Sequence, residues 1–551
     1  MRRKIWNVRE ITPLAYQLAQ KHKLSPQLVH IFLNRNVKED AFSRFLNPTI
    51  DDLHSPNLLP DIEKAANRIK TAAASGEKIL ICGDYDVDGV TSLAIFYEYI
   101  KDYPGIYSFY IPHRAKDGYG LNKEVIEKAK AQGRTLIIAF DCGTNSLEEV
   151  TLARQYGIDV VVVDHHLSKK ELNCPFAFVN PKREDSQYPF YDLSAGALSF
   201  KLLQVLKGDS ALEVLDLVAL STVCDVVPIK GENRVLLGEG LKVLRKTKRL
   251  AIVALCKVVK LKQENIDTFH IGFIIGPRIN AAGRVAHANE ALELFLTKDK
   301  EKIDELVQRF GEYNRKRKEI ETKILKEADQ MLGGDAFDGH AVVVSGQNWH
   351  PGVLGIVASR LKEKYYRPAF VISFDDNVGK GSARSIHSVH LMQVLDQCSS
   401  SLSSYGGHSR AAGIEIAKEE VDNFKDKINA LLRENLSPDD LIPVLNIDVQ
   451  IGFQDINLEF IGELGKLKPF GEENAKPLFV TYAVTKKNHV RKIPGGVSIW
   501  LTENSRTFEG VIYNKDLQQI IESADTFDIV YSLEENTYHN TPKLTIRDCR
   551  V

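Results

Sequence analysis

The sequence predicts an α/β protein of several domains: a parallel-sheet domain, a smaller α/β domain joined to it by a long helix, and a C-terminal antiparallel β-barrel. Three observations predict it. Four apolar runs, KILIC (78–82), TLIIAF (135–140), DVVVVD (159–164) and FAFVN (176–180), are separated by helix-like stretches, the alternation expected of buried parallel strands. Residues 299–332 carry one unbroken helical pattern. Beyond a turn-rich linker, the last hundred or so residues alternate apolar and polar with turns such as PGG (494–496) between segments, the mark of half-buried strands.

In chain order, residues 1–55 read as an N-terminal helical segment. Residues 56–298 form the doubly wound domain, with helices near 61–75, 91–101, 122–132 and 147–156. In such a sheet ligands bind at the C-terminal ends of the strands, near a topological switch point. Residues 299–335 are the connecting helix, with Ile303, Leu306, Phe310, Tyr313, Ile320, Ile324 and Met331 at helical steps. At ~1.5 Å per residue it spans ~50 Å, long enough to bridge two lobes, and its RKRK (315–318) reads as a solvated face. Residues 336–435 form the second α/β unit, with strands at AVVVSG (341–346) and PAFVISF (368–374) and Gly-rich loops between its elements. The linker LSPDDLIP (436–443) opens the last domain, 436–551, a five-stranded barrel of OB type.

The bulk numbers set limits. A chain of 551 residues is too long for one core. A net charge of −1 argues against binding polyanions through bulk charge, so any such site must be built by placement. Seven scattered cysteines without a CxxC pair indicate neither a zinc ribbon nor a disulfide framework, and favour a reducing, cytoplasmic setting. The basic start MRRKIWNVRE has no apolar stretch after it, so it does not read as a secretory signal, and no apolar run reaches the ~20 residues of a membrane span.

Four segments carry the chemistry: GDYDVDG (83–89), AFDCG (139–143), VVVDHH (161–166) and VCDVV (223–227). Each sets Asp or His at the end of an apolar stretch, where an uncompensated polar group costs several kcal/mol. A pair of divalent cations compensates so many oxygens and two imidazoles. Oxygen ligands favour Mg²⁺ or Mn²⁺, and imidazole shifts the preference towards Mn²⁺. In extended backbone Asp84, Asp86 and Asp88 project to one side and converge. A calcium loop is excluded for GDYDVDG, which lacks the closing Glu. Asp164 is placed to orient a ligand imidazole. Asp225, ending the apolar helix LDLVALSTVC (215–224), opposes the helix dipole unless a cation offsets it.

Other motifs read as phosphate holders. The glycines of GKGSARS (379–385) let backbone N–H groups approach an anion, with Ser382 and Arg384 beside them. Arg114, Arg278 and Arg284 add charge-assisted contacts, and Tyr119 and Trp349 are candidates for base stacking. Asn280 and His350 are further candidates. In the last domain Lys486, Lys487, Arg491 and Lys492 accompany Phe479, Tyr482 and Trp500, a mix suited to single-stranded nucleic acid.

The four Asp/His segments resemble the metal-site motifs of the DHH phosphoesterase superfamily. Within it the chain is similar, nearly end to end, to the bacterial single-strand-specific exonucleases. PHRAKDGYG (112–120), GPRINAAGR (276–284), WHPGVLGIVASR (349–360), YGGHSRAAG (405–413) and LKPFGEENAKP (467–477) add to the match. The resemblance implies a DHH domain facing a smaller DHH-associated domain across a cleft, with an OB-like barrel. It implies Asp86, Asp88, Asp141, His165 and Asp225 as metal ligands, Asp141 bridging two ions, and Asp84 and His166 in or next to the ligand set. It also implies a pocket for a 5′-terminal phosphate at Arg114, Ser382 and Arg384, with Gly406, Gly407 and His408 facing the metals. Cys82 stands where some relatives place a His ligand, and reads as a small buried side chain.

The function implied is a 5′→3′ exonuclease that cuts single-stranded DNA to mononucleotides with Mn²⁺ or Mg²⁺, in recombination, mismatch and other repair. No Walker-type loop is present, so a RecQ-type helicase and a single-strand-binding protein are the expected partners. A monomer at the bacterial nucleoid, without membrane attachment, completes the expectation. A small-substrate DHH enzyme would not need residues 440–551, and a non-catalytic scaffold would have lost the ligands.

Overall fold

The computed structural model describes residues 4–114, 118, 120–168, 175–536 and 541–551. The chain divides into two compact units: residues 54–227 with 239–442, and residues 1–53 with 228–238 and 443–551.

In the larger unit the four apolar runs become the strands Ile79–Gly83, Leu136–Phe140, Asp159–Val163 and Ala177–Val179 of one parallel sheet. A fifth strand, Tyr107–Tyr110, lies at the sheet edge beside Ile79–Gly83. The sequence reading missed it, because its half-buried residues YSFY make no apolar run. By order along the chain the sheet runs 2-1-3-4-5. The strand order therefore reverses between Ile79–Gly83 and Leu136–Phe140, and Asp84 and Asp141 leave the sheet on either side of that switch point.

Lys300–Leu332 is a single helix, capped by the Asp299 carboxylate at its start and by Gly333 in the left-handed region at its end. It packs against helices Gly276–Val285 and Pro351–Tyr365. Its RKRK segment is not uniformly solvated. Arg317 is buried and donates to Glu321 (2.6 Å) and Asn314 (2.7 Å). Met331 is exposed, against the expected stripe. Beyond the helix lies a mixed five-stranded sheet with Val378–Arg384 at its centre, paired antiparallel on one edge to Ala369–Asp375 and on the other to Ala411–Ala417.

In the smaller unit Phe479–Lys486, Thr526–Asn536, Thr541–Arg550, Arg506–Ile512 and Gly496–Glu503 pair in turn, and the last returns to the first through Thr485 and Thr502. This closes a five-stranded barrel. The N-terminal segment is no separate domain: Leu28, Phe32 and Phe42 share one core with Phe453, Phe479 and Tyr531. It also contributes the strand Ile5–Val8, paired parallel to Val444–Ile447. Arg234, buried without a carboxylate, donates to the carbonyls of Phe45, Lys466, Leu467 and Lys468 at 2.8–2.9 Å and lies 4.0 Å over the Phe45 ring.

Candidate metal centre and phosphate cavity

Asp84 follows the strand Ile79–Gly83 directly, but the chain does not stay extended through GDYDVDG. Asp86 is the N-cap of helix Val87–Ile100, its carboxylate accepting from the N–H groups of Asp88 (2.9 Å) and Gly89 (3.2 Å). Asp88 therefore sits in the first helical turn, not one strand step further on. Its carboxylate turns to a second helix start and accepts from Ala195 N and Gly196 N, both at 2.8 Å, and from the Ser221 hydroxyl. The expected convergence by strand alternation is thus replaced by two directions of approach, because an Asp before an apolar helix is captured as its cap.

Asp141 ends the central strand Leu136–Phe140 in the left-handed region, with φ +58°. This is strain of a kind that concentrates at functional sites. Asp225 caps the C-terminus of helix Leu215–Cys224, as the sequence predicts. Among the described residues the ligand atoms fall into three overlapping groups: Asp84, Asp86 and Asp141; Asp88, His165 and Asp225; and Asp141, Asp164, His165 and His166. His165 Nε2 lies 3.2 Å from Asp141, 3.7 Å from Asp88 and 3.7 Å from Asp225. Asp141 and His165 each belong to two of these groups.

The electrostatics fit divalent cations. Burial, then the neighbouring carboxylates, raises the pKa of Asp84, Asp86, Asp141 and Asp225 above the usual range. Burial lowers His165 to about 4, so its imidazole is neutral, the form that binds a metal. Neither ring nitrogen of His165 has a hydrogen-bond partner, and neither does the buried Asp84 Oδ1. Buried polar atoms left unmatched within a crowd of carboxylates call for a cation.

Asp164 serves His166 rather than His165. Its Oδ1 lies 2.7 Å from His166 Nδ1, and its oxygens also accept from the N–H groups of Thr144, His165 and His166. Burial opposes charge on His166, but Asp164 together with Asp88 and Asp84 outweighs it, and the His166 pKa is raised. Cys82 packs in the core with Leu80, Ala139 and Val162, its thiol pushed up to about 12 by burial, and joins none of the ligand groups.

Beside this cluster is a cavity of about 480 Å³ lined by Tyr85, Arg114, Arg284, His350 and Gly381, among others. Tyr85 links the two, standing between Asp84 and Asp86 and lying 4.7 Å under the Arg114 guanidinium. Arg384 donates to Ser382 Oγ (3.1 Å) and to its own strand's Ala383 carbonyl (2.8 Å), and burial, then Arg114, lowers its pKa. Gly355 in the facing helix leaves room for that guanidinium, since a Cβ there would lie 2.8 Å from Arg384 Nη2. Arg284 donates to Gly352 O (3.1 Å), and His350 caps the helix that begins at Pro351.

The loop reading of GKGSARS and the stacking reading of Trp349 are corrected. GKGSARS is no loop: Gly379–Arg384 form a strand paired on both sides, so its amides belong to the sheet ladder and only side chains are left to face an anion. Arg278 donates to Ile274 O (2.6 Å) within its own helix, and the structure does not bring it to the cluster. Asn280 accepts through Oδ1 from Val87 N at 3.0 Å and lines a cavity with Arg284 and Arg317. Gly406 and Gly407 lie in the strand Ser404–Gly407, in register with Gly413 and Ala412, and His408 begins the turn that follows. Tyr119 lies outside the described residues. Trp349 is buried and bonded to Glu327, so it is a core residue and not a stacking surface. Tyr85 and Asn180, whose amide donates to the His166 carbonyl (2.9 Å), escaped the sequence reading; the only signal was their place beside the Asp and His motifs.

The parallel sheet, its switch-point Asp/His cluster and the facing sheet define a DHH-family protein. Family models agree: the DHH family N-terminal domain matches residues 78–222, the DHHA1 domain 338–434 and the RecJ OB domain 447–548. More narrowly, the chain belongs to the RecJ family. It is 36% identical over 546 residues to the single-stranded-DNA-specific exonuclease RecJ of Bacillus subtilis, covering 97% of this chain and 69% of that one. The RecJ of Haemophilus influenzae is 32% identical over 478 residues, 82% of this chain and 83% of that one. The crystal structure of Thermus thermophilus RecJ in complex with Mn²⁺ superposes with a TM-score of 0.85 at 25% identity, covering 99% of this chain and 79% of that one. The same protein in complex with Mg²⁺ gives 0.79 at 25% identity, covering 99% and 78%.

Proposed function

We propose that this chain is a metal-dependent exonuclease that removes mononucleotides from the 5′ end of single-stranded DNA. The observation that carries the reading is the junction at Tyr85, where the Asp/His cluster meets a cavity lined by Arg114 and Arg284. A hydrolytic centre beside a cationic cavity suits cleavage one step in from a phosphorylated end. Relatives named as single-stranded-DNA-specific exonucleases support the choice of substrate.

Bound Mn²⁺ or Mg²⁺ would supply Lewis acidity and a water of lowered pKa. Asp84, Asp86 and Asp141 would hold one ion, and Asp88, His165 and Asp225 the other. The chain's own groups do the rest. Asp88 is fixed by two amides and a hydroxyl, so its carboxylate keeps one orientation through the reaction. His166, its ring held in place by Asp164, is assigned to the scissile phosphate. Arg114, Ser382 and Arg384 hold the terminal phosphate through side-chain donors and so set polarity and step length.

The barrel, with Trp500 and Tyr482 exposed, is assigned to binding the single strand. A small-substrate relative has no use for such a domain. The lack of a Walker-type loop supports reliance on a helicase and a single-strand-binding protein in repair.

Digestion of end-labelled single- and double-stranded oligonucleotides with Mn²⁺, Mg²⁺ or chelator tests the reading. Mononucleotides released from the 5′ end of the single strand alone are expected. Release from the 3′ end, or equal attack on blunt duplex, overturns it. Asp141→Asn, a residue type that tolerates the left-handed backbone, should abolish cleavage while the fold persists.

A further inference from the structure

We propose that Phe269 and Phe273 form a base-stacking platform for an internal nucleotide of the bound strand, a reading that rests on single-stranded DNA being the substrate. Among the described residues they are the only exposed phenylalanines, at 57% and 73% accessibility. Their rings lie parallel to within 27° with centroids 5.2 Å apart. Two stacked rings facing solvent are a costly surface to keep without use.

Their support is rigid and close to the candidate metal centre. They lie on one continuous helical run, Thr268–Val285, interrupted by a π turn at Ile271–Ile275. Such turns are frequent at functional sites. The inward face of the turn buries Ile271 and Ile275. A Cβ at Gly272 would lie 3.5 Å from the Val223 side chain, and one at Gly276 would lie 2.5 Å from Cys224 Sγ. The turn is thereby pressed onto the last helical turn before Asp225, and the phenylalanines are left outward.

The charge beside them suits a nucleotide strand. Phe273 lines a cavity of about 470 Å³ with Asn280, Arg284, Arg317, Lys318 and Arg360. The cations there outnumber the one carboxylate, Glu321, which is engaged by Arg317 and Arg360. Arg284 lines both this cavity and the one that holds Arg114 and Tyr85. Cations for phosphates beside an open aromatic face for a base is the arrangement by which single strands are held without sequence preference. The occupant is therefore a base of the strand whose 5′ end lies in the neighbouring cavity.

The test uses the full chain in chelator, so that the strand stays intact, and a 5′-phosphorylated oligothymidylate carrying a single abasic site walked along its length. Affinity is read by fluorescence anisotropy. The wild type should lose affinity about tenfold when the abasic site reaches one internal position, within the range for one base–aromatic stack. Phe273→Ala should bind the intact strand about tenfold more weakly, and lose nothing further at that position. Phe273→Trp should bind like the wild type, with its added indole fluorescence quenched by the strand. Equal affinity of Phe273→Ala and wild type, or equal abasic losses in both, overturns the platform. Digestion by the wild type with Mn²⁺ is run in parallel. If it degrades single strands while the Phe variants match it in binding, only the platform falls; if it neither binds nor digests them, both readings fall.

Discussion

Asp164 and His166 are joined side chain to side chain, Oδ1 to Nδ1 at 2.7 Å, in a sheet-end pocket where Asp164 is almost wholly buried. The bond fixes the ring orientation and raises the His166 pKa against the opposing effect of burial. The same carboxylate is held well below its ordinary value: burial pushes it up, and His166 with His165 and Thr144 more than reverses this.

Asp164→Asn should therefore lower the His166 pKa, because the protonated ring loses its anionic partner. Titration of the His166 ring protons by NMR in metal-free protein reads the change directly. An unshifted titration would assign the raised pKa to the other nearby carboxylates.

Metal removal should act through pH. Asp84, Asp86, Asp141 and Asp225 have folded-state pKa values raised above their unfolded values. Their contribution to stability is present below the ordinary carboxylate range and is lost as pH rises through the raised values. Mn²⁺ offsets that loss by binding the ionised cluster. The rise in Tm on adding Mn²⁺ should be larger at about pH 8 than at about pH 5.5. A rise that is the same at both would detach the bound ion from these four carboxylates.

Gly355→Ala separates stability from substrate binding. In a helix interior the change stabilises by about 0.5–1 kcal/mol, yet the new Cβ would lie 2.8 Å from Arg384 Nη2 and 3.2 Å from Ser382 Oγ. The expected result is an unchanged or higher Tm with a reduced preference for 5′-phosphorylated ends. An undiminished preference would remove Arg384 from the phosphate pocket.

Arg234→Met leaves four backbone carbonyls in the smaller unit without their donor. A loss of about 3–5 kcal/mol in that unit's unfolding free energy is expected from denaturant titration followed by tryptophan fluorescence. A loss below about 1 kcal/mol would mean that water or a neighbouring donor replaces the guanidinium.

What the sequence determined by itself was whatever depends on local pattern. Apolar runs named the four buried strands, helical spacing named Lys300–Leu332, and the Asp and His residues after apolar stretches named the candidate site. The edge strand Tyr107–Tyr110 was illegible because, half-buried throughout, it lacks an apolar run. Partners distant in the chain were equally illegible. Asp88 meets the amides of Ala195 and Gly196, Arg317 turns inward from a basic run, and GKGSARS is held between two strands. The N-terminal helices share a core with a barrel that begins four hundred residues later. Residue type and periodicity fix which groups must be buried or compensated; only tertiary pairing decides which distant group does so, because that choice is made by contacts no local pattern records.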